Sequence, residues 1–117
     1  MKTHKDLRVW NEAIEFVTQI YKMTDGFPKS EMYGLTSQLR RASVSVPSNI
    51  AEGSARRGVK ERRQFYAIAL ASNSEIETQL IISKNLRFIS QEEFKEMESL
   101  NAKVGKQLVK LIQYLSQ

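Results

Sequence analysis

Apolar residues recur along this chain every three or four positions, and no window alternates apolar with polar over the length of a strand. Four such stretches predict four helices. In LRVWNEAIEFVTQIYKMT, Trp10, Ala13, Ile14, Val17, Ile20 and Tyr21 share a face, and Asp25-Gly26 ends the run. Pro28 delays resumption and Ser30 offers an N-cap to a second helix, whose inner stripe is Leu35, Leu39, Ala42, Val46 and Ile50. Pro47 falls inside this helix. It removes the hydrogen bond to the Ser43 carbonyl, which predicts one kinked rod rather than two helices. After Gly58 a third run carries Phe65, Ile68, Ala69, Ile76, Leu80 and Leu86. Ser90 with Glu93 three residues on is a capping box, and Phe94, Met97, Leu100, Val104, Leu108, Leu111 and Leu115 follow at near-heptad spacing. The predicted helices are about 7–24, 31–55, 61–87 and 91–116. Their short links imply antiparallel neighbours: one all-α domain over 1–117, an up-down-up-down four-helix bundle with helix two kinked at Pro47.

Helices two and three carry more apolar surface than one stripe needs. Val44 and Ala51 lie away from Leu35 and Val46, and Leu70 and Ile81 lie away from Phe65 and Ile76. A monomeric bundle buries one stripe per helix, so these four residues predict an interface in a homo-oligomer.

Composition narrows the class without naming a function. At 117 residues the chain is one domain's worth. It has no cysteine, which removes disulfides, thiolate metal sites and a cysteine nucleophile. No segment approaches the ~20 apolar residues of a membrane span, and MKTHKDLRVW lacks a secretory apolar run. A soluble cytoplasmic protein without a membrane partner is the expectation. The net charge is +5, and from Arg40 to Arg63 seven basic residues face two acidic ones, an excess equal to that of the whole chain.

The segment QLRRASVSVPSNIAEGSARR, residues 38–57, holds the pattern R-A-x-x-S-x-P-x-N-I-A-E-G at Arg41, Ala42, Ser45, Pro47, Asn49, Ile50, Ala51, Glu52 and Gly53. With DLRVWNEA (6–13), IYKMTDGFPKSEMYGL (20–35) and IALASNSEIETQL (68–80), it resembles the four-helix-bundle proteins encoded by intervening sequences in bacterial 23S rRNA genes. The resemblance spans nearly the whole chain from Asp6. It implies a ring-like homopentamer. Related bundles are accessory proteins of diversity-generating retroelements, where a basic surface engages nucleic acid beside a reverse transcriptase, so RNA or DNA and such an enzyme become expected partners.

Arg56, Arg57, Lys60, Arg62 and Arg63 crowd the loop before helix three and its first turn, where positive charge opposes the helix dipole. Such an arrangement suits an anion, and arginine pairs phosphate bidentately. These five, with Arg40 at the edge, are the nucleic-acid candidates; a solvated charged loop is the plainer alternative. Tyr33 and Tyr66 are placed to stack on bases, although tyrosines at helical spacing more often pack. Arg41 and Glu52 share a face of helix two but lie about 16 Å apart, so each is expected to pair with another helix or subunit, Glu75 and Glu77 being the nearest candidates. No catalytic set emerges: His4 is the sole histidine, no Glu-x-x-His accompanies the glutamates, and EGSARRG lacks the lysine–hydroxyl ending of a phosphate loop. A non-enzymatic oligomer with no cofactor or metal is expected, binding nucleic acid or else serving as a structural or protein-interaction oligomer.

Overall fold

The computed structural model describes residues 3–116. Helices α1 (Arg8–Thr24), α2 (Leu35–Ser54), α3 (Val59–Asn85) and α4 (Gln91–Leu115) make up the body, with single 3-10 turns at His4–Asp6 and Lys29–Glu31. Each helix packs on its neighbours in the chain, α1 closes the ring against α4, and neither diagonal pair touches among the described residues. That is the antiparallel four-helix bundle expected from the spacing, 43 × 23 × 20 Å overall. The α2–α3 seam is the most extensive and the α1–α4 seam the thinnest.

The core forms where the inner stripes meet. All five predicted stripe residues of α2 are buried, and each such side chain contributes about 1.5–3 kcal/mol by leaving water. On α1 the expected stripe is corrected. Val9, Ala13, Phe16 and Ile20 are buried, while Trp10, Ile14, Val17 and Tyr21, each one position later and thus about 100° round the helix, lie on the flank. On α3 the inner aromatic is Tyr66, only 4% exposed, not Phe65, and Ile68 and Leu86 are exposed. Tyr66 enters the core because Gly53 opens space beneath it: a Cβ there would lie 2.9 Å from the ring. Its hydroxyl is satisfied by Ser54 Oγ at 2.8 Å.

Helix boundaries move for local reasons. Ser30 does not cap α2; residues 29–31 form a 3-10 turn, and the Glu31 side chain folds forward so that Oε1 accepts from Leu35 N at 3.1 Å. A side chain at Gly34 would meet that carboxylate at 2.8 Å. The capping box of α4 forms as expected, Ser90 Oγ accepting from Glu93 N and Glu93 Oε1 from Ser90 N, both at 3.0 Å. α2 runs through Pro47 without interruption, its proline ring buried.

One feature of the core is polar. Asn73 on α3 donates to the backbone and side-chain oxygens of Asn101 on α4, each at 2.8 Å, and Asn101 donates back to the Asn73 carbonyl at 2.9 Å. Gly105, one turn along α4, leaves room for this pair, since a Cβ would sit 2.5 Å from Asn73 Oδ1.

Candidate nucleic-acid interface

Antiparallel packing gathers the start of α1, the α2–α3 link and the end of α4 at one end of the bundle. Residues 3–13, 48–68 and 103–116, the 46 toward that end, contain ten basic residues and four acidic ones; the other 68 described residues, 14–47 and 69–102, contain seven and nine. The bundle is therefore polarised along its axis, a property that no single segment of sequence displays. Lys5, Arg8, Lys106 and Lys110 come to that end of the bundle by folding alone.

Within the cluster the arginines have different tasks. Arg56 Nη2 meets Glu52 Oε2 at 2.8 Å, one turn away on the same helix run, and its guanidinium lies 5.0 Å from the centre of the Phe65 ring. Arg62 Nε donates to the Arg56 carbonyl at 2.8 Å, tying the link to the first turn of α3. Arg63 Nη1 reaches Ser116 Oγ at 3.4 Å, beside the carbonyl end of α4, where the helix dipole favours a cation. Arg57 and Lys60 are exposed and make no ion pair among the described residues. Of the five cations expected around the α2–α3 link, these two have the least structural employment. Arg62 and Arg63 are half-buried.

Other candidates fall elsewhere. Arg40 lies sixteen residues from Arg56, about 24 Å along the helix. It is tied to the end of α1, with Nε donating to Thr24 Oγ1 at 2.8 Å, Nη2 on Asp25 at 3.0 Å and the guanidinium 4.6 Å above the Tyr21 ring. Arg40 is thus a bracket between α1 and α2, not the edge of the basic cluster. The pairing expected of Glu52 with another helix does not form within the chain, because Arg56 takes it. Arg41 has no carboxylate within 4.0 Å among the described residues. Arg41 and Glu75 instead line a groove of about 420 Å³ between α2 and α3, with Tyr33, which is 97% exposed, at its mouth. Tyr33 belongs to the end opposite the cluster; Tyr66 lies at the basic end but is buried, its hydroxyl bonded to Ser54, so neither offers a free ring face beside the basic residues.

A family model described as 23S rRNA-intervening sequence protein matches residues 5–110. The chain belongs to that family. Among solved structures, it is similar to a protein of unknown function from the S23 ribosomal protein family of Bacteroides thetaiotaomicron VPI-5482. The identity is 21%, 89% of this chain and 97% of that one are covered, and the TM-score is 0.81. At that identity the likeness shows the fold. No curated protein matches the chain.

On this 23S rRNA-intervening sequence protein the apolar candidates divide. Val44 and Ala51 of α2 line a groove of about 270 Å³ with Trp10, Ile14 and Val17, the displaced flank of α1. Ile81 is exposed on α3, whereas Leu70 is half-buried against the core. Near the basic end, Glu12 sits in a small network. Arg8 Nε donates to it at 2.9 Å, Gln107 Nε2 also donates, and Lys103 Nζ lies 3.5 Å away. Burial pulls its pKa upward, but the hydrogen bonds from Arg8 and Gln107 and the two positive charges outweigh it and hold the carboxyl below its usual range. No helix is long and apolar enough to cross a membrane among the described residues.

Proposed function

We propose that this protein is a non-catalytic, homo-oligomeric accessory protein of the cytoplasm that binds RNA or DNA through the phosphates of its backbone. The observation that carries the reading is the axial charge asymmetry, ten basic residues against four acidic toward the end that holds the α2–α3 link. A solvated charged surface has no need to concentrate its cations at one end. Phosphates lying across that end would be met by Arg57 and Lys60, with the partly employed Arg56, Arg62 and Arg63 beside them. No base-reading motif accompanies them, so binding should depend weakly on sequence and strongly on salt.

Self-association would multiply the field by repeating the basic end around an assembly. The groove between α1 and α2 supports it, since Trp10 and Ile14 on one wall and Val44 on the other leave apolar surface that the described residues do not cover. The same groove also favours the second reading, a structural or protein-interaction oligomer with no nucleic-acid partner. Anisotropy of a labelled oligonucleotide across a salt series separates the two. If four phosphates are neutralised per subunit, log affinity falls against log salt with a slope of about −3 to −4, and Arg57→Gln with Lys60→Gln reduces the slope by about 2. Absence of binding at low salt leaves the structural oligomer.

A further inference from the structure

We infer that the basic end carries a socket for one unpaired nucleobase, so that its ligand is single-stranded rather than duplex. This rests on the nucleic-acid reading above and adds the form of the partner. Between the N-terminal turn, the end of α2, the start of α3 and the last turns of α4 lies a groove of about 280 Å³, the room of about nine waters. Its walls are apolar, from Leu7, Tyr66, Leu111 and Leu115, and Tyr114 and Arg62 border it. Tyr114 is 74% exposed on the last turn of α4, an aromatic ring left in water at the groove that Arg62 also borders.

The combination selects the ligand. A phosphate alone gains nothing from an apolar floor, and an apolar peptide gains nothing from the free amino groups of Arg62. A base tethered to its phosphate uses both, laying a flat π-face on Tyr114 while the backbone meets Arg62. A duplex keeps its base faces stacked and offers only phosphates, which would leave Tyr114 idle. Arg62 has spent its Nε on the Arg56 carbonyl, and its terminal amino groups have no partner among the described residues. Asp6 also borders the groove, and its Oδ2 is occupied by Thr3 N at 3.0 Å. The remaining oxygen can accept from an exocyclic amino group and repels a phosphate from the floor, which keeps the backbone at the rim.

The test uses the full chain with a single-stranded oligonucleotide containing 2-aminopurine, a duplex of equal length, and vesicles of phosphatidylserine and phosphatidylcholine. Tyr114 is exposed, so Tyr114→Ala and Tyr114→Phe should fold alike, which circular dichroism checks. The single strand is expected to bind tighter than the duplex and to quench 2-aminopurine. Tyr114→Ala should weaken single-strand binding roughly tenfold to a hundredfold and abolish the quenching, with duplex affinity and salt slope unchanged. Tyr114→Phe should behave as the parent. Duplex bound as tightly as single strand, with Tyr114→Ala without effect, would overturn the socket and leave the basic-end reading standing. Failure to bind either oligonucleotide at low salt would overturn both. Binding to the anionic vesicles with neither oligonucleotide bound would reassign the end to a membrane surface.

Discussion

Gly105→Ala should destabilise the bundle, although alanine in a helix interior is normally better than glycine by about 1 kcal/mol. The added Cβ would lie 2.5 Å from Asn73 Oδ1 and 3.3 Å from its Cγ, so the Asn73 amide must turn away. Turning it breaks the two hydrogen bonds that Asn73 Nδ2 donates to Asn101, each at 2.8 Å, while the bond from Asn101 Nδ2 to the Asn73 backbone carbonyl stays. Both residues are buried. The stranded Asn73 amide and the Asn101 Oδ1 left without its donor cost about 1–3 kcal/mol each, less whatever water recovers. Against the propensity gain, the net loss is about 1–3 kcal/mol, or a fall of about 4–12 °C in Tm for a domain of this size. Thermal and urea melts at fixed protein concentration read it directly. An alanine variant more stable than the parent would mean that the asparagine pair is not held where described. Replacing both asparagines by leucine removes the stranded groups and should cost far less than replacing one.

Pro47→Ala restores an N–H to the Ser43 carbonyl and should raise helix stability by as much as about 3 kcal/mol, less the lost burial of the ring. It should also weaken self-association, because Pro47 lines the apolar groove; unchanged stability and mass would remove its architectural role. Val44→Asp should lower the mass measured by light scattering with the monomer still helical, and an unaltered mass would clear that groove of any part in assembly. Glu52→Gln should change Tm little: the pair with Arg56 is exposed, side chains 53% and 43% accessible, and such one-turn pairs are worth about 0.3–0.5 kcal/mol. Glu12 contributes stability that is fully present above its unfolded pKa, near the ordinary value of 4.5, and is lost as pH falls through its depressed folded value. Comparing Glu12→Gln with the parent from pH 7 to 3 should show the gap in stability closing on acidification; a gap independent of pH would contradict the network.

The helix count, the antiparallel order and the inner stripe of α2 were legible in the spacing alone, since only one face of α2 is continuously apolar. α1 was misread because it has two apolar faces, and spacing cannot say which one meets the core. The inner one is set by α2 and α4, which take Phe16 and leave Trp10 on the flank. The asparagine pair left a visible trace: Asn101 occupies the stripe position between Met97 and Val104, and Asn73 stands one turn before Ile76. Polar residues at the core positions of two adjacent helices signal a buried bond. The link from Arg56 to Arg63 could be read as basic, but not that Lys106, Lys110 and Tyr114 would fold to the same end of the bundle. That depends on how α4 lies against α3, at a separation of some fifty residues. The second 3-10 turn was hidden because Glu31, rather than Ser30, supplies the cap to α2.

The central claim is that nucleic acid meets this bundle at one end. Hydrogen exchange of the full chain with and without a saturating single-stranded oligonucleotide at low salt maps that contact. Protection is expected in residues 54–63, in the last turns of α4 and in the N-terminal turn, with the α3–α4 link and residues 25–35 unaffected. Protection centred instead on the α2–α3 groove around Arg41 and Glu75, or spread evenly over the bundle, would contradict it.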